Sequence, residues 1–333
     1  MATAAAQNQT GEVTYLDAIR LALLEEMRRD SSVFLMGEDI GPFGGAFKVT
    51  AGLLEEFGED RVIDTPIAET AILGMAIGAA MSGLRPVVEM QFADFVLNGF
   101  NQLVTNAAKV HYRVSQPVPL TVRLPAGGGV HGGPFHSVNP EAWFMHVPGL
   151  KIVAPSTATD ARGLLKSAIR DNNPVLYLEH KYLYRRVKET VPQDDGAVPI
   201  GVACVAREGT DVTVITYGAM VYQSLEAAEA LGSEGISVEV IDLRSILPWD
   251  RQAVLKSVKK TARALVVHEA TLTAGVGAEI AAVIGEYAFE YLDAPVSRIA
   301  SHDTPVPFAP PLEEFFMPNA AKIKSAIRAL VDF

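Results

Sequence analysis

Glu69 stands at the head of RVIDTPIAETAILGMAIGAAMSG, residues 61–83, and no charged residue follows it until Arg85. Asp64-Thr65-Pro66 supplies turn and helix-start chemistry ahead of it. A carboxylate with so few partners nearby in sequence is suited to holding a proton or to hydrogen-bonding a buried ligand. If the helix is buried, as its apolar circumference suggests, desolvation favours the neutral carboxyl unless a donor or cation meets it. The plainer reading is that Glu69 answers the positive end of a helix dipole, worth about 0.3–1 kcal/mol. Glu38 and Asp39 follow the short apolar run SVFLM at 32–36. Acids just beyond a strand's carboxyl end lie where open α/β sheets bind ligands, although a solvated turn has the same composition. His131, His136 and His146 fall in PAGGGVHGGPFHSVNPEAWFMHVPG, residues 125–149, the stretch densest in glycine and histidine. A loop of this length without a pattern of its own is functional or disordered, and Phe135, Trp143, Phe144 and Met145 argue against disorder. Each histidine also fits a structural role, since its tautomer adapts to a donor or an acceptor.

Composition narrows the ligands. The chain has 333 residues, 49% apolar and 20% charged, which suffices for two ordinary domains with buried cores. A net charge of -11, with basic residues scattered, argues against nucleic acid and against an anionic membrane surface. The single cysteine, Cys204, excludes an internal disulfide and a multi-cysteine zinc site, and fits a reducing compartment such as the cytoplasm. Residues 1–12 read as a disordered tail without signal or transit character. The apolar run at 71–81 is too short to span a bilayer.

The elements that must position these residues follow from pattern. Residues 14–30 form an amphipathic helix; 32–36, 86–90, 118–124, 151–154 and 175–179 read as short buried strands. The aromatic stretch QFADFVLNGFNQLVTNAAKVHYR is helical by period, with Phe92, Phe95 and Phe100 as core. Ser156 and Thr159-Asp160 offer caps for the helix ending at Asn172-Asn173-Pro174. Short strands alternating with helices predict an α/β domain with a mainly parallel sheet flanked by helices over 13–187. Residues 188–201, KETVPQDDGAVPIG, read as a linker, and the alternation restarts over 202–333 as a second, smaller α/β domain.

Gly275-Val276-Gly277 invites a dinucleotide reading, but Ile280 stands where the third glycine belongs. No GxxxxGK[ST], HExxH or GxSxG motif is present. Dispersed motifs instead resemble the beta subunit of the decarboxylating component of 2-oxo acid dehydrogenase complexes, of the transketolase-like thiamine diphosphate enzymes. They are GEDIG (37–41), DTPIAE (64–69), EMQFADF (89–95), the GGG and FHS of the loop, SAIRDNNP (167–174), EVIDLRSILPWD (239–250), HEA (268–270) and DTPVPF (303–308). The resemblance runs from about Val13 to Phe333 and implies a pyrimidine-binding domain followed by a transketolase C-terminal-like domain.

It also implies roles. Glu69 would bond a ring nitrogen of the cofactor's aminopyrimidine, so that isolated argument and family role meet at one carboxyl. Ile67, Gln91 and Phe95 would line the pyrimidine; His136 would stand beside the substrate and the incoming lipoyl group; Glu38 would belong to a polar tunnel between paired cofactors. Leu120, Ala168, Ile169, Asp171 and Asn173 match a structural potassium site. The family's GDG-plus-asparagine motif, which holds the diphosphate through magnesium, has no match here. The missing half is expected on an alpha subunit in a two-alpha, two-beta assembly, with sites at alpha–beta interfaces. Asp293 and the carboxylate of Phe333 would dock the lipoyl-bearing acyltransferase component.

The implied reaction is oxidative decarboxylation of a 2-oxo acid with reductive acylation of a lipoyl domain. ILPWD, HEATLTAG and DTPVPF look like the branched-chain enzymes, whereas Phe95 replaces a tyrosine common in them and REGTDVTVITYGAM looks like the pyruvate enzymes. Acetoin cleavage, a silent scaffold subunit and a stand-alone nicotinamide oxidoreductase are the alternatives.

Overall fold

The computed structural model describes residues 11–333, so the sequence-read tail lies mostly outside the described residues. Thr14 caps α1 (Tyr15–Arg29) by accepting from the Asp17 amide. The spacing of Leu16, Ile19, Leu23 and Met27 puts all four in the core, each worth about 1.5–3 kcal/mol in burial. The chain then lays down β1 (Val33–Gly37), β2 (Val62–Asp64), α2 (Glu69–Met81), β3 (Arg85–Glu89), β4 (Thr121–Ala126), β5 (Lys151–Val153), α3 (Ala158–Arg170) and β6 (Val175–His180). These strands pair in the order β5-β6-β4-β3-β1-β2, every pair parallel. Their burial is nearly continuous, as a sheet covered on both faces requires.

The order of strands matters for function. After β1 the chain steps to β2 on one side, then crosses to β3 on the other, so a topological switch lies beside β1. Ligands bind open α/β sheets at the carboxyl ends of strands flanking such a switch. Glu38 follows β1 directly, Glu69 follows β2 after a four-residue turn, and Gln91 follows β3.

Three local findings differ from the pattern reading. The stretch 93–114 is a sequence of 3₁₀ turn (Ala93–Gly99), π-helical turn (Gln102–Ala107) and α-helix (Ala108–Val114) rather than one helix. Gly99 ends the 3₁₀ turn in close packing with α2: a Cβ there would stand 2.3 Å from Leu73 Cδ1. The cap of α3 is Thr157, whose hydroxyl accepts from Asp160 N, rather than Ser156 or Thr159. Residues 188–200 are fastened along α3: Lys188 and Glu189 pair with Thr14 and Val13. Arg162 donates to the carbonyls of Pro192 and Asp194, and Ser167 to that of Val198.

The described residues divide into two compact units, 11–126 with 144–200, and 127–143 with 201–333. The glycine-rich loop thus groups with the second unit, although the chain-order reading placed it in the first. That unit contains β7 (Cys204–Arg207), β8 (Val212–Thr216), α4 (Met220–Gly232), β9 (Val238–Asp242), α5 (Arg251–Thr261), β10 (Ala264–Thr271), α6 (Val276–Tyr287), β11 (Ser297–Ser301), α7 (Pro310–Phe316) and α8 (Ala320–Val331). Its sheet runs β11-β10-β8-β9-β7, parallel except for the antiparallel edge strand β7. None of the described helices is long and apolar enough to cross a membrane.

Candidate active site at the carboxyl edge of the first sheet

Glu69 is the first residue of α2 and is 8% exposed. It lines a cleft of about 520 Å³ together with Thr70, Gly74, Met75 and Gln102. Gly74 lies in the cleft wall, with the Gln102 amide over it at van der Waals distance, Cδ standing 3.6 Å from where a Cβ would be. Asn106 Nδ2 donates to Gln102 Oε1 over 2.8 Å and fixes that amide. Contrary to the reading of α2 as buried all round, the helix has two faces. Ile72, Leu73, Ala76, Ile77 and Ala80 are buried, whereas Met75 is 62% and the preceding Ile67 82% exposed. Apolar residues all round therefore mark a helix with one face on its own sheet and the other presented outward.

Glu38 stands close to Glu69. The Ala68 amide bonds to the Glu38 carboxylate, and burial together with the charge of Glu69 pushes the Glu38 carboxyl up from its ordinary range. The turn after β1 is secured by Gly41 N, which donates to Asp64 Oδ1 over 2.6 Å. Gln91 is half-buried, its Nε2 donating to Asp39 Oδ2 over 2.9 Å. The Phe95 ring is half-buried and packs edge-on to Phe92 at 5.7 Å between centroids. Glu38, Glu69 and Gln91 thus come off the ends of three adjacent strands or their turns, and Phe95 lies on the 3₁₀ turn that packs on α2. A buried carboxyl beside apolar and amide groups fits the donor and stacking requirements of an aminopyrimidine.

Behind this edge lies a buried ionic group that periodicity gave no reason to single out. Arg123 on β4 is 1% exposed and pairs with Glu89, its register partner on β3, and with Glu179 on β6 at 2.7 Å. Tyr184 Oη donates to Glu179 over 2.9 Å. Burial alone would lower the Arg123 pKa, but the two carboxylates raise it; burial pushes the Glu89 carboxyl up against the pull of Arg123. The available signal was an arginine inside one apolar strand, Thr121–Ala126, with a glutamate at or next to the carboxyl end of each of two others.

The residues proposed for potassium gather around the turn after α3. Leu120 O accepts from Val175 N over 2.9 Å, and Ala168 O from Asp171 N over 3.3 Å. The carbonyls of Ile169 and Asp171 accept from Arg85 Nη1 over 2.9 and 3.0 Å. The Asp171 carboxylate accepts from Asn173 N over 2.8 Å and pairs with Lys151, while Asn173 Oδ1 meets His111 Nδ1 at 2.8 Å. The donor chemistry, backbone carbonyls, suits a monovalent cation, but the fit is partial because Arg85 already brings a cation to two of them.

In the second unit His136 is half-buried and ends a 3₁₀ turn, Gly133–Phe135. His131 is exposed and sits at φ +59°. His146, in the first unit, is exposed.

A cleft headed by a buried carboxyl, at the switch point of one parallel α/β unit followed by a second, is the setting of a transketolase-type architecture. Residues 11–187 match the family described as transketolase, pyrimidine binding domain, and residues 201–323 the transketolase C-terminal domain. The chain is 52% identical over 324 residues to the 2-oxoisovalerate dehydrogenase subunit beta of Bacillus subtilis (strain 168), covering 96% of this chain and 99% of that one. It is 48% identical over 324 residues to the pyruvate dehydrogenase E1 component subunit beta of Staphylococcus epidermidis, covering 97% and 99%. A solved split-gene transketolase, described as an inactive beta4 tetramer, shares the fold with a TM-score of 0.79 at 23% identity, over 97% of this chain and 99% of that one. The chain belongs to the beta-subunit family of the thiamine diphosphate-dependent, acyl-transferring pyruvate and branched-chain 2-oxo acid dehydrogenases.

Proposed function

We propose that this subunit supplies the pyrimidine half of a thiamine diphosphate site that decarboxylates pyruvate or a branched-chain 2-oxo acid and passes the acyl group to a lipoyl domain. The observation that carries the reading is Glu69: a buried carboxyl, opening a helix at the switch point of the sheet and lining a cleft. Thiamine diphosphate, when bound, supplies the electron sink that a 2-oxo acid lacks. Glu69 holds a proton at a ring nitrogen of the pyrimidine, which makes the opposite amino group basic enough to work. Ile67, Gln91 and Phe95 line the pyrimidine, with the Phe95 ring against its face, and exclude water from it. His136 holds or moves a proton beside the substrate and the lipoyl sulfur. Glu38, with its raised affinity for a proton, serves the polar path between paired sites.

An alpha subunit completes the site, holds most of the magnesium and diphosphate, and covers the outward face of α2, in a two-alpha, two-beta assembly. The exposure of Ile67 and Met75 supports a partner there, because apolar surface next to a ligand cleft marks an interface. Leu120, Ala168, Ile169, Asp171 and Asn173 hold a structural potassium ion, which orders the sheet end and does no chemistry. Asp293, paired with Arg263 at 3.7 Å, and the exposed Phe333 dock the acyltransferase component. The enzyme works in the cytoplasm, in keeping with a chain that carries a single cysteine, Cys204.

The test is turnover of the chain co-purified with its alpha partner, thiamine diphosphate and magnesium, with a dye as electron acceptor. Glu69→Ala abolishes turnover while assembly persists. An assembled variant with normal turnover would overturn the reading and leave a subunit that only scaffolds. The ratio of kcat/KM for pyruvate and 3-methyl-2-oxobutanoate names the substrate class.

A further inference from the structure

The proposed function uses Glu69 and His136 and leaves HEA (268–270) and DTPVPF (303–308) without a task. Both segments converge on the glycine-rich loop of the second unit. Glu269, 6% exposed, accepts at Oε1 from Gly128 N over 2.6 Å and from Asn139 Nδ2 over 2.9 Å. One oxygen therefore joins the two ends of the loop. Glu313, 1% exposed, lies on α7 and uses both oxygens: Oε1 accepts from Gly129 N over 3.0 Å, Oε2 from His131 N over 3.3 Å and meets His131 Nδ1 at 2.6 Å. Asp303 ties the DTPVPF segment to the HEATLTAG turn by accepting from Thr273 N and Oγ1 over 2.9 and 2.6 Å. Phe308 packs so close to Gly133 that a Cβ there would stand 2.9 Å from its ring.

The loop needs such fastening. Gly127, Gly129, His131 and Gly133 all take positive φ, and His131 does so without a glycine's freedom. A backbone alternating in this way forms no ladder of its own, so its amide groups need acceptors from elsewhere. The two buried carboxylates supply them to the amides of Gly128, Gly129 and His131, ahead of the Gly132-Gly133-Pro134-Phe135-His136 turn. Gly132 completes the arrangement, since a Cβ there would lie 3.0 Å from His136 Cβ and 2.8 Å from Ser137 Oγ.

We propose that Glu269 and Glu313 are positioning residues for His136: they clamp the backbone amides of residues 128–131 and so fix where the imidazole is presented. The proposal rests on the role given to His136 above. Neither carboxylate touches substrate; each acts through the loop. Glu313 engages both oxygens, so an amide at 313 keeps one acceptor and turns a donor toward a donor.

The test uses the assembled enzyme and compares Glu313→Gln, Glu313→Ala, Glu269→Ala and His136→Ala. Amide hydrogen exchange at residues 128–131 reads the clamp without reference to activity; dye-coupled decarboxylation and lipoyl-domain acylation read the two halves of the reaction. Exchange in the glutamate variants rises about tenfold or more as the local opening becomes easier. Lipoyl acylation falls about tenfold to a hundredfold, more than dye-coupled turnover, as misplacement of a reacting group predicts. Glu313→Gln, which keeps the side-chain volume, shows the same split in smaller measure and stands in if the alanine variant fails to assemble. Unchanged exchange in Glu269→Ala and Glu313→Gln overturns the clamp. Raised exchange with acylation intact, where His136→Ala itself loses acylation, overturns the positioning role. If His136→Ala retains full acylation, the role given to His136 falls instead, and the positioning proposal falls with it even where exchange still reports a clamp.

Discussion

Replacing Arg123 by methionine tests the electrostatics beneath the active edge. The guanidinium is 1% exposed and serves two carboxylates, Glu89 and Glu179, which are 5% and 0% exposed. Methionine fills much of the volume, so the loss is one of charge rather than of packing. Removing one partner of a buried pair leaves an uncompensated charge and costs about 3–5 kcal/mol. For a unit of this size that corresponds to a fall in Tm of about 6–20 °C. The cost is pH-dependent with a definite sign. Glu89 already has a raised pKa, so lowering the pH neutralises it first; the variant's deficit is larger at pH 8 than at pH 5. Urea unfolding of wild-type and variant subunits at the two pH values measures it. The variant Glu89→Gln/Arg123→Met/Glu179→Gln recovers most of the stability, because no charge remains buried. A loss below about 1 kcal/mol at pH 8, or a loss independent of pH, refutes the assignment of the triad as a desolvated ionic group.

Other outcomes follow from the same coordinates. His268 is fully buried, Nδ1 bonding Ala270 O at 3.0 Å, and burial lowers its pKa to about 4; its folded value lies below the unfolded one, so its contribution is present above pH 6.5 and is lost as pH falls toward 4. That window is worth about 3 kcal/mol, and His268→Phe flattens the urea-unfolding stability across it. Gly99→Ala drives a methyl against Leu73 and lowers stability by about 1–3 kcal/mol, with the KM for thiamine diphosphate rising because the clash lies one turn from Glu69. If potassium binds at the turn after α3, exchanging potassium for sodium lowers Tm and Asp171→Ala removes the difference; equal Tm in both salts assigns the cation's place to Arg85. Asp293→Lys weakens binding of the acyltransferase core in a sedimentation assay while dye-coupled turnover is unchanged.

The fold was legible because strand and helix alternate with few interruptions: each apolar run such as SVFLM or DVTVITYG became a parallel strand within a residue or two. Edge features were not. Strand β7, CVAR, is exposed at two of its four positions, and β11, SRIAS, is half-buried along most of its length, so neither carries the apolar signal of an inner strand. The break at 93–114 was also hidden, because the apolar spacing of the stretch does not separate 3₁₀ and π turns from an α-helix. Of the candidate site, Glu69 stood out as a lone acid at the head of a helix and Glu38 as one of two acids just past a strand. Gln102 did not, since an amide inside an apolar helix has the same local pattern whether it faces solvent or a cleft. Glu269 and Glu313 were invisible for a stronger reason: their acceptors meet amides 141 and 184 residues away, and backbone donors leave no mark in the sequence.

The two faces of α2 show why an incomplete site reads so clearly. A helix apolar on all sides is costly to expose, about 25 cal/mol for each Å² of apolar surface left in water. Ile67 and Met75 nonetheless face outward, beside the one carboxyl on the helix and Gly74 in the cleft. Folding of this subunit gains little from those side chains, and on the function proposed above the reason for them lies in assembly. The same residues then do two things at once: a partner that covers Ile67 and Met75 also closes the cleft over Glu69, and closure strengthens the carboxyl's hold on a bound pyrimidine by excluding water. Charging that face should uncouple the two effects. Met75→Lys leaves the fold of the isolated subunit intact, since the side chain is already exposed, but weakens association with the alpha subunit and raises the KM for thiamine diphosphate in the same concentration range. Full association with an unchanged KM would place the partner elsewhere.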